Sequence, residues 1–324
     1  MMRNLETSAL AAVLLCVMAS AGAQRLPLFQ HPKVTVPGGR GRFDYMLVDP
    51  ATRRLYATHK GTGRLAVLDL KTGIVLPSPH VGKTQGVAID ATDGRVLLGA
   101  EEGSVLSLNR TTLAPVGSTS LPGPVDDIAL DTRNGLVYAD HDDGAEVWVV
   151  RASTMQRVAD IPVAGAPEFI EYDRPSNRLY QNIKANDTVL VIDPESNTVT
   201  SVWRTAPATS PHGLAVDHAR GRLFSAGADG ILVEFNLFTG RLIASAPIPK
   251  GADQIAFDPH TRRVYCACAG WFGVVQETDG GLKPLPSVPA PAGSHTLAVD
   301  PKTHAVWTTG TDANGSFFEE FTPQ

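Results

Sequence analysis

Seven polar residues recur at a nearly fixed interval along the chain: Asp44, Gln85, Asp126, Glu168, His212, Asp253 and His295. All but Gln85 can titrate. Four carboxylates gathered in one place repel one another, which raises some of their pKa values unless a cation or a protonated His compensates. Four carboxylates and two imidazoles also make a ligand set for a divalent metal. If the chain closes into a ring, two clusters form: Asp44, Asp253 and His295 on one side, Asp126, Glu168 and His212 on the other. Their oxygens favour Ca²⁺ or Mg²⁺, and the imidazoles shift the preference toward Zn²⁺ or Mn²⁺. A solvated polar channel with no ligand is the plainer reading of the same residues.

The elements that position these groups follow from their context. Each lies five residues before an Asp that ends an apolar run: Asp49, Asp90, Asp131, Asp173, Asp217, Asp258 and Asp300. The intervals are 41, 41, 42, 44, 41 and 42 residues. An Asp followed by Pro, as in Asp49-Pro50 and Asp258-Pro259, opens a tight turn through its side-chain hydrogen bonds and the fixed φ of proline. Seven residues after each Asp stands Tyr56, Tyr138, Tyr180, Phe224, Tyr265 or Trp307, with Leu97 as the one exception. The positions just inside the polar ones are apolar: Met46, Val87, Ile128, Ile170, Leu214, Ile255 and Leu297. They read as the next layer on the same strand face.

Four short strands per repeat, with no sustained helical periodicity, predict an all-β, seven-bladed β-propeller of four-stranded blades. After Asp300 only 24 residues remain (324 − 300), which is room for three strands. The spare strand near Val34 is therefore expected to complete blade seven and close the ring. The domain boundaries are then 1–23 for a signal peptide and 24–324 for one propeller.

First-strand starts and second-strand ends must share one face. That face gathers loop residues His59, Lys60, Glu101, Glu102, Asp140, His141, Asp142, Asp143 and Lys184, with Arg42, Lys83, Arg204 and Lys250 before the first strands. His59, His141, His212 and His295 are candidates for a general base. Arg42 and Lys83 are candidates for ligand contacts beside the polar ring. Asp127 and Glu171 depart from the small residues usual at their positions, and each needs a partner if buried. Ser294-His295 and Ser210-Pro211-His212 are near neighbours only, which makes no triad. His31, His80, His218, His260 and His304 fall in turns or near a terminus, where solvation is expected.

The segments Leu55-Tyr56-Ala57-Thr58 and Leu179-Tyr180-Gln181-Asn182 after these turns resemble the YVTN or YncE-like propeller family over the whole mature chain. The resemblance implies the fold and an exported protein, and leaves the reaction open. Gluconolactonase-like propellers hold their metal at a similar inner-strand position, a likeness of place alone. Three function classes remain in view: a protein binding a small ligand or metal, a lactonase-like metal-assisted hydrolase or lyase, and a protein-interaction scaffold.

The net charge of −5 gives no global attraction to nucleic acid. The Ala9–Ala19 run before Ala21-Gly22-Ala23 reads as a cleavable signal peptide, so a periplasmic or secreted location is expected. No later stretch is long enough for a membrane span, and a monomer is expected. Cys16 reads as part of that leader, and Cys266 and Cys268 read as two small buried side chains.

Overall fold

The computed structural model describes residues 25–324, so the expected signal peptide, Cys16 included, lies outside the described residues. The regular structure of the described chain is almost entirely β-strand, arranged as seven antiparallel sheets. The inner strands are Met46–Asp49, Thr84–Asp90, Val125–Asp131, Pro167–Asp173, Pro211–Asp217, Ala252–Asp258 and Leu297–Val299. Each contacts the next, and the last contacts the first, which closes the ring. The aromatic residues seven after each turn Asp pack between blades, with Tyr56, Tyr138, Tyr180, Phe224 and Tyr265 among the largest fully buried side chains.

Blade seven closes as its short C-terminal repeat requires. Its third strand, Gly315–Pro323, pairs with two N-terminal segments. Val34–Val36 runs antiparallel to Ser316–Phe318, and Leu28–Gln30 runs antiparallel to Phe321–Pro323. Leu28 and Val36 enter the core. Blade six has the mirror irregularity. Its outer edge is split into Gly281–Pro284 and Val288–Pro289, both paired to Trp271–Thr278.

The seven turn aspartates are all buried, and they do more than cap their own turns. Asp49 accepts backbone N–H bonds from Ala51 and Thr52 at 3.1 and 3.3 Å. It also accepts Arg110 Nε from blade two at 2.6 Å. Asp300 accepts a two-pronged bond from Arg53 of blade one, with the Nη2 arm at 2.6 Å. Asp173 and Asp258 accept from His218 and His304 of the following blade at 3.2 and 3.0 Å. These two imidazoles, exposed and half-buried as turn residues are expected to be, also act as clasps between blades. Arg53 sits at a φ of 60°, in the left-handed region that disfavours a side chain. The buried ion pair it reaches offsets that cost.

Together, the Arg53 fork and the turn bonds hold the Asp300 carboxyl down at about 2, against the desolvation that burial imposes. A depressed carboxylate contributes stability above its unfolded pKa, and that stability is lost as pH falls through the folded value. Asp300→Ala leaves Arg53 unpaired at the blade junction. It is expected to cost about 3 kcal/mol in a urea titration at pH 7. Indistinguishable unfolding curves would contradict the clasp.

Cys266 and Cys268 are buried free thiols, as expected. Burial pushes the Cys268 thiol up to about 12, so it is a packing group with little thiolate at neutral pH.

Candidate functional site

The polar ring owes its direction to a backbone irregularity. Five inner strands shift register between their first residue and the fourth: Thr84/Val87, Val125/Ile128, Pro167/Ile170, Pro211/Leu214 and Ala252/Ile255. The extra residue is a β-bulge, which re-aims the side chains within it. Gln85, Asp126, Glu168, His212 and Asp253 all lie in such bulges. The polar residues and the apolar layer below them are therefore not successive positions on one strand face, as plain alternation suggested.

The ring members meet as pairs. His295 Nδ1 lies 2.8 Å from Asp253 Oδ2. His212 Nε2 lies 3.5 Å from Glu168 Oε1, while its Nδ1 lies 2.7 Å from the Ser210 carbonyl. A carbonyl only accepts, so Nδ1 carries the proton and Nε2 is turned to Glu168. Ser210 has a φ of 49°, and its N–H donates to Asp187 Oδ1 at 2.7 Å. A strained residue thus fixes the imidazole.

Two lysines from the second-strand loops supply the counter-charge. Lys184 Nζ lies 2.6 Å from Glu168 Oε2 and 3.3 Å from Asp143. Lys60 Nζ lies 3.4 Å from both Asp44 Oδ2 and Glu101 Oε2 and donates to Gln85 Oε1. Gln85 passes the chain on through Nε2 to the Val125 carbonyl at 2.8 Å. Arg42 reaches Asp44 at 3.4 Å, and Lys83 reaches Glu101 at 3.8 Å, both with largely exposed side chains. Lys60 and Lys184 were legible as loop charges. Their service as ring partners was not, because it depends on bringing a loop back over its own blade.

Asp126 stands apart. No group among the described residues bonds or pairs with its side chain, although it is 8% exposed. Burial pushes its pKa well above the usual carboxylate range, and Asp140, Glu168 and Asp44 push the same way. Burial also raises Asp44 and Glu168, against the pull of Lys60 on the first and of His212 and Lys184 on the second.

The two ligand sets inferred for a metal do not assemble as triads. Among the described residues no three His, Cys, Asp or Glu side chains converge to hold an ion. Asp253–His295 and Glu168–His212 remain pairs, Asp44 is engaged by Lys60, and Asp126 lies alone.

His59 is misplaced by the loop reading. It is fully buried between blades one and seven, stacked on Phe43 with ring centroids 4.1 Å apart. Its Nε2 lies 3.1 Å from Ser316 Oγ, and Nδ1 has no partner. It touches no ligand space, so it is no general base for the mouth. Burial pushes its pKa down to about 4. A neutral buried His contributes stability above its unfolded pKa, near 6.5, and that stability is lost as pH falls through about 4. His59→Gln, which cannot titrate, is expected to flatten the fall in stability between pH 7 and pH 4 by up to roughly 3 kcal/mol. Parallel acid-melting profiles for the two proteins would rule this out.

His141 is also walled in. Its ring lies 4.6 Å from Trp148. A Cβ added at Gly144 would fall 2.0 Å from its Nδ1, and one at Gly123 would fall 2.3 Å from its Nε2. Only glycine permits that close approach on both sides.

The floor of the mouth is a plug. Tyr45 and Phe169, from blades one and four, meet with centroids 5.9 Å apart. The Tyr45 hydroxyl donates to the Glu168 carbonyl at 3.3 Å, across the channel. Gln254 completes the floor by bonding Met46 and Leu297 backbone atoms. Beside it, Asp127 has the partner its burial requires: its Oδ2 accepts the Ile170 N–H at 3.1 Å. Glu171 has none.

No protein-family model matches the chain, and no curated protein matches its sequence. Among solved structures, a chain of the mitotic checkpoint complex aligns with a TM-score of 0.80 at 12% identity, covering 99% of this chain and 100% of that one. A chain of Kuenenia stuttgartiensis hydrazine synthase aligns with a TM-score of 0.75 at 12% identity, covering 89% and 97%. At such identity the likeness is one of fold alone. The class is thereby defined: a closed seven-bladed β-propeller with a polar, plugged channel mouth. Among the described residues no helix is long and apolar enough to cross a membrane.

Proposed function

We propose that the chain is a ligand-binding propeller whose channel mouth takes a small polar organic molecule carrying an ammonium group and hydroxyls. The observation that carries this is Asp126, a carboxylate of the polar ring with no hydrogen-bond or ion-pair partner of its own among the described residues. Asp44 and Glu168 are matched by Lys60 and Lys184, and Asp253 is matched by His295. A cationic donor from a ligand is the group that completes the set, and it offsets the burial, and the repulsion from Asp140, Glu168 and Asp44, that raise Asp126. Bound hydroxyls find both donors and acceptors around the rim. The Tyr45–Phe169 floor limits the ligand to a shallow seat.

The Tyr-Ala-Thr and Tyr-Gln-Asn segments after Asp-led turns support a place near the YVTN/YncE-like propellers. The apolar N-terminal run supports export to the periplasm or beyond. We extend the proposal to a monomer acting there.

Glucosamine and glucose differ at one position by an ammonium in place of a hydroxyl. Glucosamine is expected to raise the melting temperature of the purified mature protein, and glucose is expected to do so far less. A rise with Ca²⁺ or Zn²⁺ and none with glucosamine would favour the metal-assisted alternative instead. No rise with any of them would favour a scaffold with a solvated channel.

A further inference from the structure

Below the plug the channel changes character. The inner strands enclose a cavity of about 640 Å³ that opens on the turn face. Two residues before each turn Asp stand Leu47, Ala88, Ala129, Ala215, Ala256 and Ala298, and all six line this space. Five alanines leave the room that larger side chains would fill. The seventh position of the same ring is Glu171.

Glu171 has no hydrogen-bond or ion-pair partner among the described residues. Arg110 also borders the cavity, but its guanidinium is held by Asp49, with Nε at 2.6 Å. Tyr172 borders it too, and its hydroxyl donates to Asn177 Oδ1 at 2.9 Å. The neighbours that could answer the carboxylate are already engaged. Burial raises the Glu171 pKa to about 7, with Asp173 adding to the rise, so the acid stands ready to hold or give a proton near neutrality. A largely apolar chamber of this size in which Glu171 is left unpartnered has the form of a small-molecule site.

We propose that this lower chamber is a second binding site, distinct from the mouth, for a lipophilic amine whose apolar body fills the alanine-lined space and whose ammonium pairs with Glu171. Such a pair is a charge-assisted hydrogen bond made against largely apolar walls. The apolar body supplies the burial. The Tyr45–Phe169 plug separates the two sites, so each can be tested without the other.

The probes are phenylbutylamine, phenylbutanol and phenylbutyrate, titrated calorimetrically into the mature protein. The amine is expected to bind about tenfold or more tightly than the alcohol, and the acid not to bind. Glu171→Gln is expected to bring the amine down to the level of the alcohol. Ala215→Leu places in blade five the side chain that blade one carries at Leu47, and its melting curve is compared with that of the parent before titration. It is expected to weaken the amine and the alcohol alike. Asp126→Asn is expected to leave amine binding unchanged. Equal binding of all three probes, no binding of the amine, or amine binding that survives both chamber variants would each overturn the proposal.

Discussion

Deleting residues 25–38 is expected to abolish cooperative folding of the whole propeller. The segment supplies two pieces of the outer edge of blade seven, and both pair with Gly315–Pro323. Its loss uncovers Phe318 and Phe321, which are fully buried, and removes Leu28 and Val36 from the core. Each lost apolar side chain costs about 1.5–3 kcal/mol, and each ladder hydrogen bond about 1 kcal/mol. The total rivals the roughly 5–15 kcal/mol that holds an ordinary domain together. A closed ring has no spare edge to absorb the loss. Thermal melting followed by circular dichroism reads the effect. Adding the peptide 25–38 in trans is expected to restore part of the transition by strand addition. A truncated protein that melts with the intact one would show that the ring closes without this segment.

The second large effect is expected at Lys184. Its ammonium lies 2.6 Å from Glu168 and within 4 Å of Asp142 and Asp143. Lys184→Met keeps the length of the stem and removes the charge. Glu168 then keeps only the His212 imidazole, at 3.5 Å, as a neighbouring partner. At pH 8 the loss is expected to be about 2–3 kcal/mol, because an ionised carboxylate is left buried without its partner. At pH 5 the loss is expected to be much smaller. The Glu168 pKa is already raised in the folded state, and removing Lys184 raises it further. A carboxylate raised on folding binds more protons folded than unfolded, so stability falls as pH climbs through the folded value. Urea titrations at the two pH values give the comparison. A loss equal at both would mean that Lys184 acts by packing alone.

Much of the ring was legible because repetition exposes departures. The turn aspartates gave the blade count, and the short repeat after Asp300 pointed to Val34–Val36 as the closing strand. The second closing segment, Leu28–Gln30, was not legible, since Leu28-Phe29-Gln30 lacks the apolar-polar alternation that Val34-Thr35-Val36 shows. The seven polar positions were found, but the bulges that aim them were not. A bulge leaves no mark in an apolar-polar pattern when both of its residues are tolerated, as Asp126 and Asp127 show. His59 looked like a loop residue because it ends its strand. Its burial comes from Phe43 and Ser316, distant in sequence and brought together only by closure. Glu171 stood out among alanines, yet only the packed ring shows that those alanines enclose a chamber.

The central claim is that Asp126 is the vacant partner in the channel mouth, and one calorimetric comparison tests it most directly. Glucosamine is titrated into the mature protein, into Asp126→Asn and into Glu171→Gln. Asn keeps the size of Asp and removes the charge, so the fold is expected to be unaffected. The account predicts that Asp126→Asn weakens glucosamine binding about tenfold or more, while Glu171→Gln leaves it unchanged. Glucosamine binding that is equal in the protein and in Asp126→Asn would contradict the account and leave the mouth a solvated channel.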